Sequence, residues 1–321
     1  MQQVVSLAAP FFGIILIGFL AAKWRRLPIE GLSWLNFLVV YVSLPALFYQ
    51  SLSKTPIGEL SNGWFVVMTT GSTATIFLVS LAVGLKARRG NLPEATIIAV
   101  CGGYANVGYM GPGLALAALG LKAAVPTALI LCFDSALMFA LVPMLMALAG
   151  TEKKPLLATI GEILLRIFLH PFILGTLAGV TASATGFHAP DVVDRLFTYL
   201  MQVSMPCALF ALGVTVALRP LAGFPTELPF VLLLKLVGHP LLVLVLLNAL
   251  GGVDPVWIAT AVLIASLPPA LSAFILAQQY SVYEDRSSTI ILIGTATSML
   301  TVTAMLYVIT HGYLPIALFG R

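Results

Sequence analysis

Residues 101–113 read Cys-Gly-Gly-Tyr-Ala-Asn-Val-Gly-Tyr-Met-Gly-Pro-Gly and lie in the middle of an apolar run over residues 95–119. The stretch contains five glycines and Pro112. Inside a helix, glycine costs about 1 kcal/mol and proline about 3 kcal/mol relative to alanine, so this stretch is expected to unwind. The apolar run is long enough to cross a bilayer. We therefore predict a membrane helix that is broken near its centre.

The composition of the whole chain is typical of an integral membrane protein. Of its 321 residues, 60% are hydrophobic and 9% are charged, and the mean hydropathy is +1.05. A soluble domain does not bury this much apolar surface, and the long continuous apolar runs differ from the alternating pattern of a β-barrel. The formal net charge of +4 is distributed over short loops, which indicates topology rather than a nucleic-acid surface. The composition therefore predicts an all-α membrane protein that forms a single integral membrane unit.

Charged, proline-rich and glycine-rich breaks divide the chain into ten apolar segments. The predicted helices cover residues 5–22, 32–50, 64–85, 95–119, 123–148, 163–184, 196–218, 228–250, 256–277 and 289–310.

The two halves of the chain align at a constant offset of 161 residues. This offset places Pro10 on Pro171, Gly18 on Gly179, and Pro45 on Pro206. Each half contains five predicted helices, and two tandem repeats with an odd number of helices enter the membrane from opposite sides. We therefore predict two inverted five-helix repeats, residues 1–150 and 151–321, related by a pseudo-two-fold axis in the membrane plane.

The distribution of basic residues predicts the orientation, because Lys and Arg resist translocation. One set of loops holds eleven of them and the other set, with the C-terminus, holds four. The richer set is assigned to the cytoplasm of a bacterial inner membrane, which places both termini in the periplasm. The eleven residues are Lys23, Arg25, Arg26, Lys86, Arg88, Arg89, Lys153, Lys154, Arg166, Arg219 and Arg286, and the four are Lys54, Lys122, Arg195 and Arg321.

The ninth predicted helix contains a second break, with the sequence Ser-Leu-Pro-Pro-Ala-Leu-Ser over residues 266–272. Pro268 and Pro269 remove two backbone donors. Under the offset of 161, these prolines lie about one helical turn away from the position that corresponds to Pro112, so the two breaks are expected to differ by about one turn. Broken helices at matching positions of inverted repeats indicate a substrate site, since unwound backbone in a membrane is tolerated only around a cavity.

The site predicted at the crossing of helices 4 and 9 suits a small organic anion. The N-termini of half-helices carry free N–H groups and partial positive charge, which favour a carboxylate. Asn106 adds amide donors and an acceptor. An alternative is that the glycines and prolines provide only close packing and kinks. The other candidate lining residues are Tyr104, Gly108, Tyr109, Gly111, Pro112, Pro268, Pro269 and Ser272.

Four ionisable side chains lie inside predicted spans, where a charge is costly unless it is paired or hydrated. Asp134 is a candidate for proton coupling or, alternatively, a structural carboxylate. Lys235 is a candidate anion contact, or it snorkels to the cytoplasm. His170 and His239 each precede a proline, so either imidazole could instead occupy a freed backbone carbonyl. Because metal-ligand and enzyme motifs such as HExxH, GxSxG and the P-loop are absent from the sequence, we expect no metal, no cofactor and no enzymatic activity.

Five short motifs occur along the chain. They are residues 44–48 (Leu-Pro-Ala-Leu-Phe), 106–112 (Asn-Val-Gly-Tyr-Met-Gly-Pro), 170–175 (His-Pro-Phe-Ile-Leu-Gly), 266–269 (Ser-Leu-Pro-Pro) and 293–298 (Ile-Gly-Thr-Ala-Thr-Ser). Together these motifs resemble the auxin efflux carrier family, and within it the bacterial malonate-transporter type.

This resemblance implies ten helices in two inverted repeats, similar to sodium/proton antiporters and bile-acid symporters, with a scaffold and a mobile transport domain. The crossover asparagine and proline of the family map onto Asn106 and Pro112, and the second-half proline maps onto Pro268 or Pro269. No second asparagine accompanies the latter prolines, so the arrangement of the plant auxin carriers is not reproduced. The plant carriers also suggest a homodimer.

The leading functional hypothesis is secondary active transport of a carboxylate, such as malonate, by alternating access. Protons are the favoured coupling ion, and membrane lipid is the expected surrounding partner. A sodium-coupled symporter of the bile-acid type is the first alternative. A membrane-embedded sensor or enzyme is the second.

Overall fold

The computed structural model describes residues 2–25, 31–59, 62–151, 167–218 and 223–316, together with residues 161 and 165. Within these residues the regular elements are helices, and no β-strand occurs. Six helical stretches are long and apolar enough to cross a membrane. They are Gly31–Leu52, Gly63–Ala87, Leu121–Leu148, Asp191–Leu218, Leu228–Leu250 and Glu284–Thr310.

The α-helices are numbered along the chain. In the first half they are α1 (Gln2–Arg25), α2 (Gly31–Phe37), α3 (Leu44–Leu52), α4 (Gly63–Ala87), α5 (Leu92–Gly103), α6 (Gly111–Leu119) and α7 (Ala124–Leu148). In the second half they are α8 (Pro171–Thr185), α9 (Asp191–Leu218), α10 (Leu228–Leu233), α11 (His239–Leu250), α12 (Pro255–Ala265), α13 (Ser272–Tyr280) and α14 (Glu284–Thr310). These helices agree with the predicted segments, except that the beginning of the predicted segment 163–184 lies mostly outside the described residues.

Two of the spans contain a short π-helical segment next to a proline. Leu38–Ser43 joins α2 to α3 ahead of Pro45, and Leu234–Gly238 joins α10 to α11 ahead of Pro240. A proline cannot donate to the preceding turn, and a wider turn relieves the clash of its ring with the carbonyl four residues earlier. The chain therefore crosses these sites without ending the helix.

The predicted fourth and ninth helices are both broken, at residues 104–110 and 266–271. The expected displacement of about one turn between the breaks is wrong. The offset of 161 carries Gly111–Leu119 onto Ser272–Tyr280 residue for residue. The prediction is wrong because Pro112 does not lie at the centre of the first break. Pro112 lies in the first turn of α6, where its missing N–H has no helical partner to lose.

The helices pack mainly into two groups. Group A consists of α1–α3, α8 and α9, and group B consists of α4–α7 and α10–α14. Within group A, a Cβ at Gly18 would clash with the Phe210 carbonyl oxygen at 2.4 Å, and a Cβ at Gly179 would lie tightly against the Tyr49 backbone at 3.1 Å. Such small residues let membrane helices approach closely.

Candidate functional site

The two breaks cross each other as extended segments. The Asn106 N–H donates to the Pro268 carbonyl at 2.9 Å, and the Ala270 N–H donates to the Tyr104 carbonyl at 3.0 Å. Ala105 and Pro269 form an antiparallel bridge between these bonds. Backbone groups freed by the breaks therefore pair with each other, as a water-poor interior requires.

Local sequence explains where each half-helix ends. The carboxyl end of α5 lies so close to α4 that a Cβ at Gly103 would meet the Phe77 backbone at 2.9 Å. On the other side, α12 ends at Ala265 because the following Pro268 and Pro269 have no N–H to continue the helix. Gly294 of α14 allows the Pro269 ring to pack against it. Packing thus accounts for part of this glycine and proline pattern, as the alternative interpretation proposed.

A cavity of about 380 Å³ lies beside the crossing. Both helix groups contribute to its wall, which is largely apolar. Its polar side chains belong to Tyr41, Tyr104, Asn106, Tyr109, Ser135, His170, Ser272, Gln279 and Tyr280.

Five of the predicted site residues line this cavity, and four do not. Gly111, Pro112, Pro268 and Pro269 form or border the breaks without lining the cavity. The lining residues among those predicted are Tyr104, Asn106, Gly108, Tyr109 and Ser272.

Asn106 carries an unused donor at the crossing. Its side chain is only 2% exposed, and its Nδ2 has no hydrogen-bond partner within the described part of the chain. An unsatisfied buried donor costs about 1–3 kcal/mol, which an acceptor on a bound molecule would recover. The Asn106 Nδ2 is therefore a candidate donor at this crossing.

Two tyrosines connect the crossing to neighbouring helices. The Tyr104 hydroxyl lies 2.7 Å from the Ser135 hydroxyl of α7. The Tyr109 hydroxyl donates to Asn36 Oδ1 of α2 at 3.1 Å, which joins the first break to group A. The Tyr109–Asn36 hydrogen bond must break if group A and group B move relative to each other.

Sequence reasoning missed several lining residues. Gln279 lies seven residues after Ser272 on α13, so helical periodicity from Ser272 could have found it. Ser135 directly follows Asp134 and carried no signal of its own, nor did Tyr41. Their position depends on how distant helices pack.

The described lining contains no Lys, Arg, Asp or Glu. Neutral donors and the N-terminus of α13, which begins at the cavity with Ser272, are therefore the features available for an anion. His170 is an ionisable lining residue. Its ring stacks on Phe139 at a centroid distance of 5.4 Å and lies tilted against Phe172 at 3.9 Å.

Asp134 and Lys235 belong to a separate buried cluster and do not line the cavity. Lys235 does not snorkel to the cytoplasm, because it is 0% exposed and its Nζ donates to the Ala265 carbonyl at 2.6 Å and to His239 Nδ1 at 3.0 Å. Asp134 Oδ2 accepts from Thr73 Oγ1 at 3.0 Å. Asp134 Oδ1 has no partner among the described residues.

A pocket of about 10 Å³ adjoins Asp134 and is also lined by Thr73 and His239. This volume is close to the minimum for one water molecule. Asp134 is therefore placed to exchange hydrogen bonds with a single water, but not to contact a ligand in the large cavity.

A second ionic cluster lies at the ends of group B helices. Glu227, before α10, accepts from Arg88 Nη2 at 2.5 Å and from the Tyr283 hydroxyl. Burial by itself raises the pKa of Glu227, but hydrogen bonds from Tyr283 and Arg88 outweigh it and hold the pKa below its ordinary value. These contacts link the end of α4, the start of α10 and the turn before α14.

Comparison with known proteins identifies the family. A family model described as "Membrane transport protein" matches residues 3–306. A protein of Rhizobium meliloti (strain 1021) named "Putative malonate transporter" is 48% identical over 320 residues, which cover 99% of this chain and 100% of that protein. The Escherichia coli (strain K12) protein named "Uncharacterized transporter YfdV" is 23% identical over 320 residues, covering 94% and 93% of the two chains.

The plant protein "Auxin efflux carrier component 1" of Arabidopsis thaliana is 26% identical over 150 residues, covering 45% of this chain and 24% of that protein. None of these matches supports the bile-acid-type alternative, and the family and relatives are transporters rather than enzymes. The chain is an integral multi-pass membrane transporter that belongs to the auxin efflux carrier family.

Proposed function

We propose that this protein is a secondary active transporter of a small carboxylate, such as malonate or another mono- or dicarboxylate. The observation that carries the proposal is the buried Asn106 Nδ2, which has no hydrogen-bond partner among the described residues, beside a cavity at the crossing of two broken helices. Carboxylate oxygens are acceptors that such donors and a half-helix N-terminus favour. The name of the 48% identical relative supports malonate as the first compound to test.

The full architecture is proposed as ten membrane helices in two inverted repeats, residues 1–150 and 151–321. Support comes from the residue-for-residue correspondence of α6 with α13 and from the antiparallel crossing of the two breaks. Segments that enter the membrane from opposite sides would cross in this way. The periplasmic placement of both termini follows from the basic residues of the loops, and the homodimer stays a prediction from the plant carriers.

Alternating access is proposed as a movement of group B against group A. The cavity supports this proposal because its wall contains Tyr41 of group A and Ser135 of group B, so a bound molecule would contact both groups. The hydrogen bond between Tyr109 and Asn36 is a contact that such a movement would break.

Protons are the proposed coupling ion, with Asp134 as the group that binds them. The support is that Asp134 Oδ1 has no partner among the described residues and that Asp134 lines a water-sized pocket. Transport that is insensitive to an imposed pH gradient in wild-type proteoliposomes would exclude this assignment.

The test is a thermal-shift screen of detergent-purified protein against malonate, malate, succinate, acetate and indole-3-acetate, followed by uptake of the best ligand into proteoliposomes. A ligand at a hundredfold excess over its Kd stabilises the native state by about 2.7 kcal/mol. For a chain of this size we expect a rise in Tm of roughly 4 °C.

The decisive comparison is between Asn106→Ala and Asn248→Ala. Asn248 is also a buried asparagine of group B, but it donates to the Leu244 carbonyl and does not line the cavity. We expect the ligand-induced shift and the uptake to be lost in Asn106→Ala and kept in Asn248→Ala. An equal response in both folded variants would refute the site.

A further inference from the structure

The tandem prolines of the second break leave one helix carbonyl without a backbone donor. In a continuous helix, the Ala265 carbonyl would accept from the N–H of residue 269. Pro268 and Pro269 have no N–H, and the Ala270 N–H donates instead to the Tyr104 carbonyl. The last residue of α12 therefore presents an open acceptor at the negative end of a half-helix.

The ammonium group of Lys235 fills this position. Its Nζ donates to the Ala265 carbonyl at 2.6 Å, and the whole side chain is buried. Lys235 lies in the π-helical segment Leu234–Gly238, a type of turn that often marks functional sites. The side chain thus connects α10 and α11 to the second break.

A chain of hydrogen bonds continues from Lys235 to a carboxylate. Lys235 donates to His239 Nδ1, so the neutral imidazole carries its proton on Nε2, which lies 3.3 Å from Thr73 Oγ1. The Thr73 hydroxyl in turn donates to Asp134 Oδ2. All hydrogen bonds of this series thus run in one direction, from the Lys235 ammonium to the Asp134 carboxylate.

We infer that Lys235 is a tethered cation that occupies the place of a bound inorganic cation at the crossing. Its charge compensates the carboxyl end of α12 on one side and, through His239 and Thr73, Asp134 on the other. By fixing the Ala265 carbonyl it orients the segment that accepts from the Asn106 N–H, so it is a positioning residue for the candidate site. The inference rests on the proposed function only in taking this crossing as the transport site.

The consequence is that the crossing assembles without an alkali metal ion. Lys235→Ala removes Cγ, Cδ, Cε and Nζ and should leave a cation site of the same shape. Propylammonium has three carbons and one ammonium group, so it would replace the missing atoms and the missing charge. Leu236→Ala is the matched control, since Leu236 is the buried neighbour in the same π-helical segment and its truncation removes no charge.

The experiment measures the Tm of substrate-free wild type, Lys235→Ala and Leu236→Ala in choline, sodium and propylammonium chloride at equal ionic strength. We expect wild type to respond alike to all three salts. Lys235→Ala should melt roughly 5–10 °C lower in choline and recover at least about half of this loss in propylammonium. Leu236→Ala should melt lower without specific recovery. Equal recovery in both variants, absence of recovery in Lys235→Ala, or a wild type that requires sodium would overturn the inference.

A second comparison covers the case in which Lys235→Ala does not fold. If Lys235 served only to neutralise Asp134, the double variant Asp134→Asn with Lys235→Met would regain the wild-type Tm. The inference expects the double variant to stay below wild type, because the Ala265 carbonyl still lacks a donor. Neither measurement uses substrate. Both therefore test the role of Lys235 even if the proposed transport activity is wrong.

Discussion

Gly108 lies in the first break and differs from the glycines of the adjoining helices α5 and α6, because no atom lies within 4 Å of where its Cβ would be. Gly103 lies against Phe77, and Gly113 lies against Met205 of α9. Close packing therefore explains those two positions. At Gly108 the missing side chain leaves room in the cavity wall instead.

Replacing Gly108 by valine tests whether the cavity is the transport path. The added side chain would enter the cavity and reduce its volume, so we expect carboxylate uptake to fall at least about tenfold while the substrate-free Tm changes by less than about 2 °C, as for a substitution without packing conflict. Gly103→Val is the contrast, since overpacking against the α4 backbone should lower the Tm itself. Unchanged uptake by a folded Gly108→Val protein would place the path elsewhere.

At the scale of elements, the breaks were predictable and their contacts were not. The glycine-rich stretch over residues 102–113 and the prolines at 268 and 269 predicted a break in each helix, and the structure ends α5 at Gly103 and α12 at Ala265. Of the five glycines only Gly108 lies in the break itself, because Gly102 and Gly103 belong to α5 and Gly111 and Gly113 to α6. The register of the two breaks was misjudged because a proline in the first turn of a helix looks, in sequence, like a proline inside a break. The burial of Lys235 was also open, since only the packing of α12 against the π-helical segment supplies its carbonyl partner.

The Tyr109–Asn36 hydrogen bond joins the first break to α2 and should restrain movement between the two helix groups. Tyr109→Phe removes the hydroxyl and keeps the ring. A hydrogen bond contributes about 0.5–1.5 kcal/mol, so uptake should become about 2–10-fold faster if breaking this bond belongs to the rate-limiting step. The measurement is initial uptake by proteoliposomes, with Tyr199→Phe on the exposed face of α9 as the control.

An uptake rate in Tyr109→Phe equal to that of the control would show that this bond does not limit the movement. A slower rate, together with weaker ligand stabilisation of the purified protein, would instead assign Tyr109 to ligand binding. Both outcomes are distinguishable because the thermal shift reports binding without turnover.

At the scale of the whole molecule, group B can move as one body only if its helix ends stay together. Arg88, Glu227 and Tyr283 provide such a connection between three separate parts of the chain. Glu227 is fully buried at its side chain and Arg88 is 14% exposed, so water screens this ion pair weakly. The surface pair of Lys54 and Asp194 is far more exposed, at 58% and 38%, and should contribute little.

The pH dependence of stability should reveal the Glu227 cluster. Because hydrogen bonds from Tyr283 and Arg88 hold the folded-state pKa of Glu227 below its ordinary value of 4.5, its stabilisation is fully present above that value and is lost as the pH falls through the folded-state pKa. Hydrogen bonds to a charged group are worth about 1.5–3 kcal/mol. Wild type should therefore exceed Glu227→Gln in Tm near neutral pH by roughly 2–5 °C, and the two should converge in acid. The measurement is Tm as a function of pH, with Asp194→Asn as the exposed control. Parallel curves for wild type and Glu227→Gln would contradict this account.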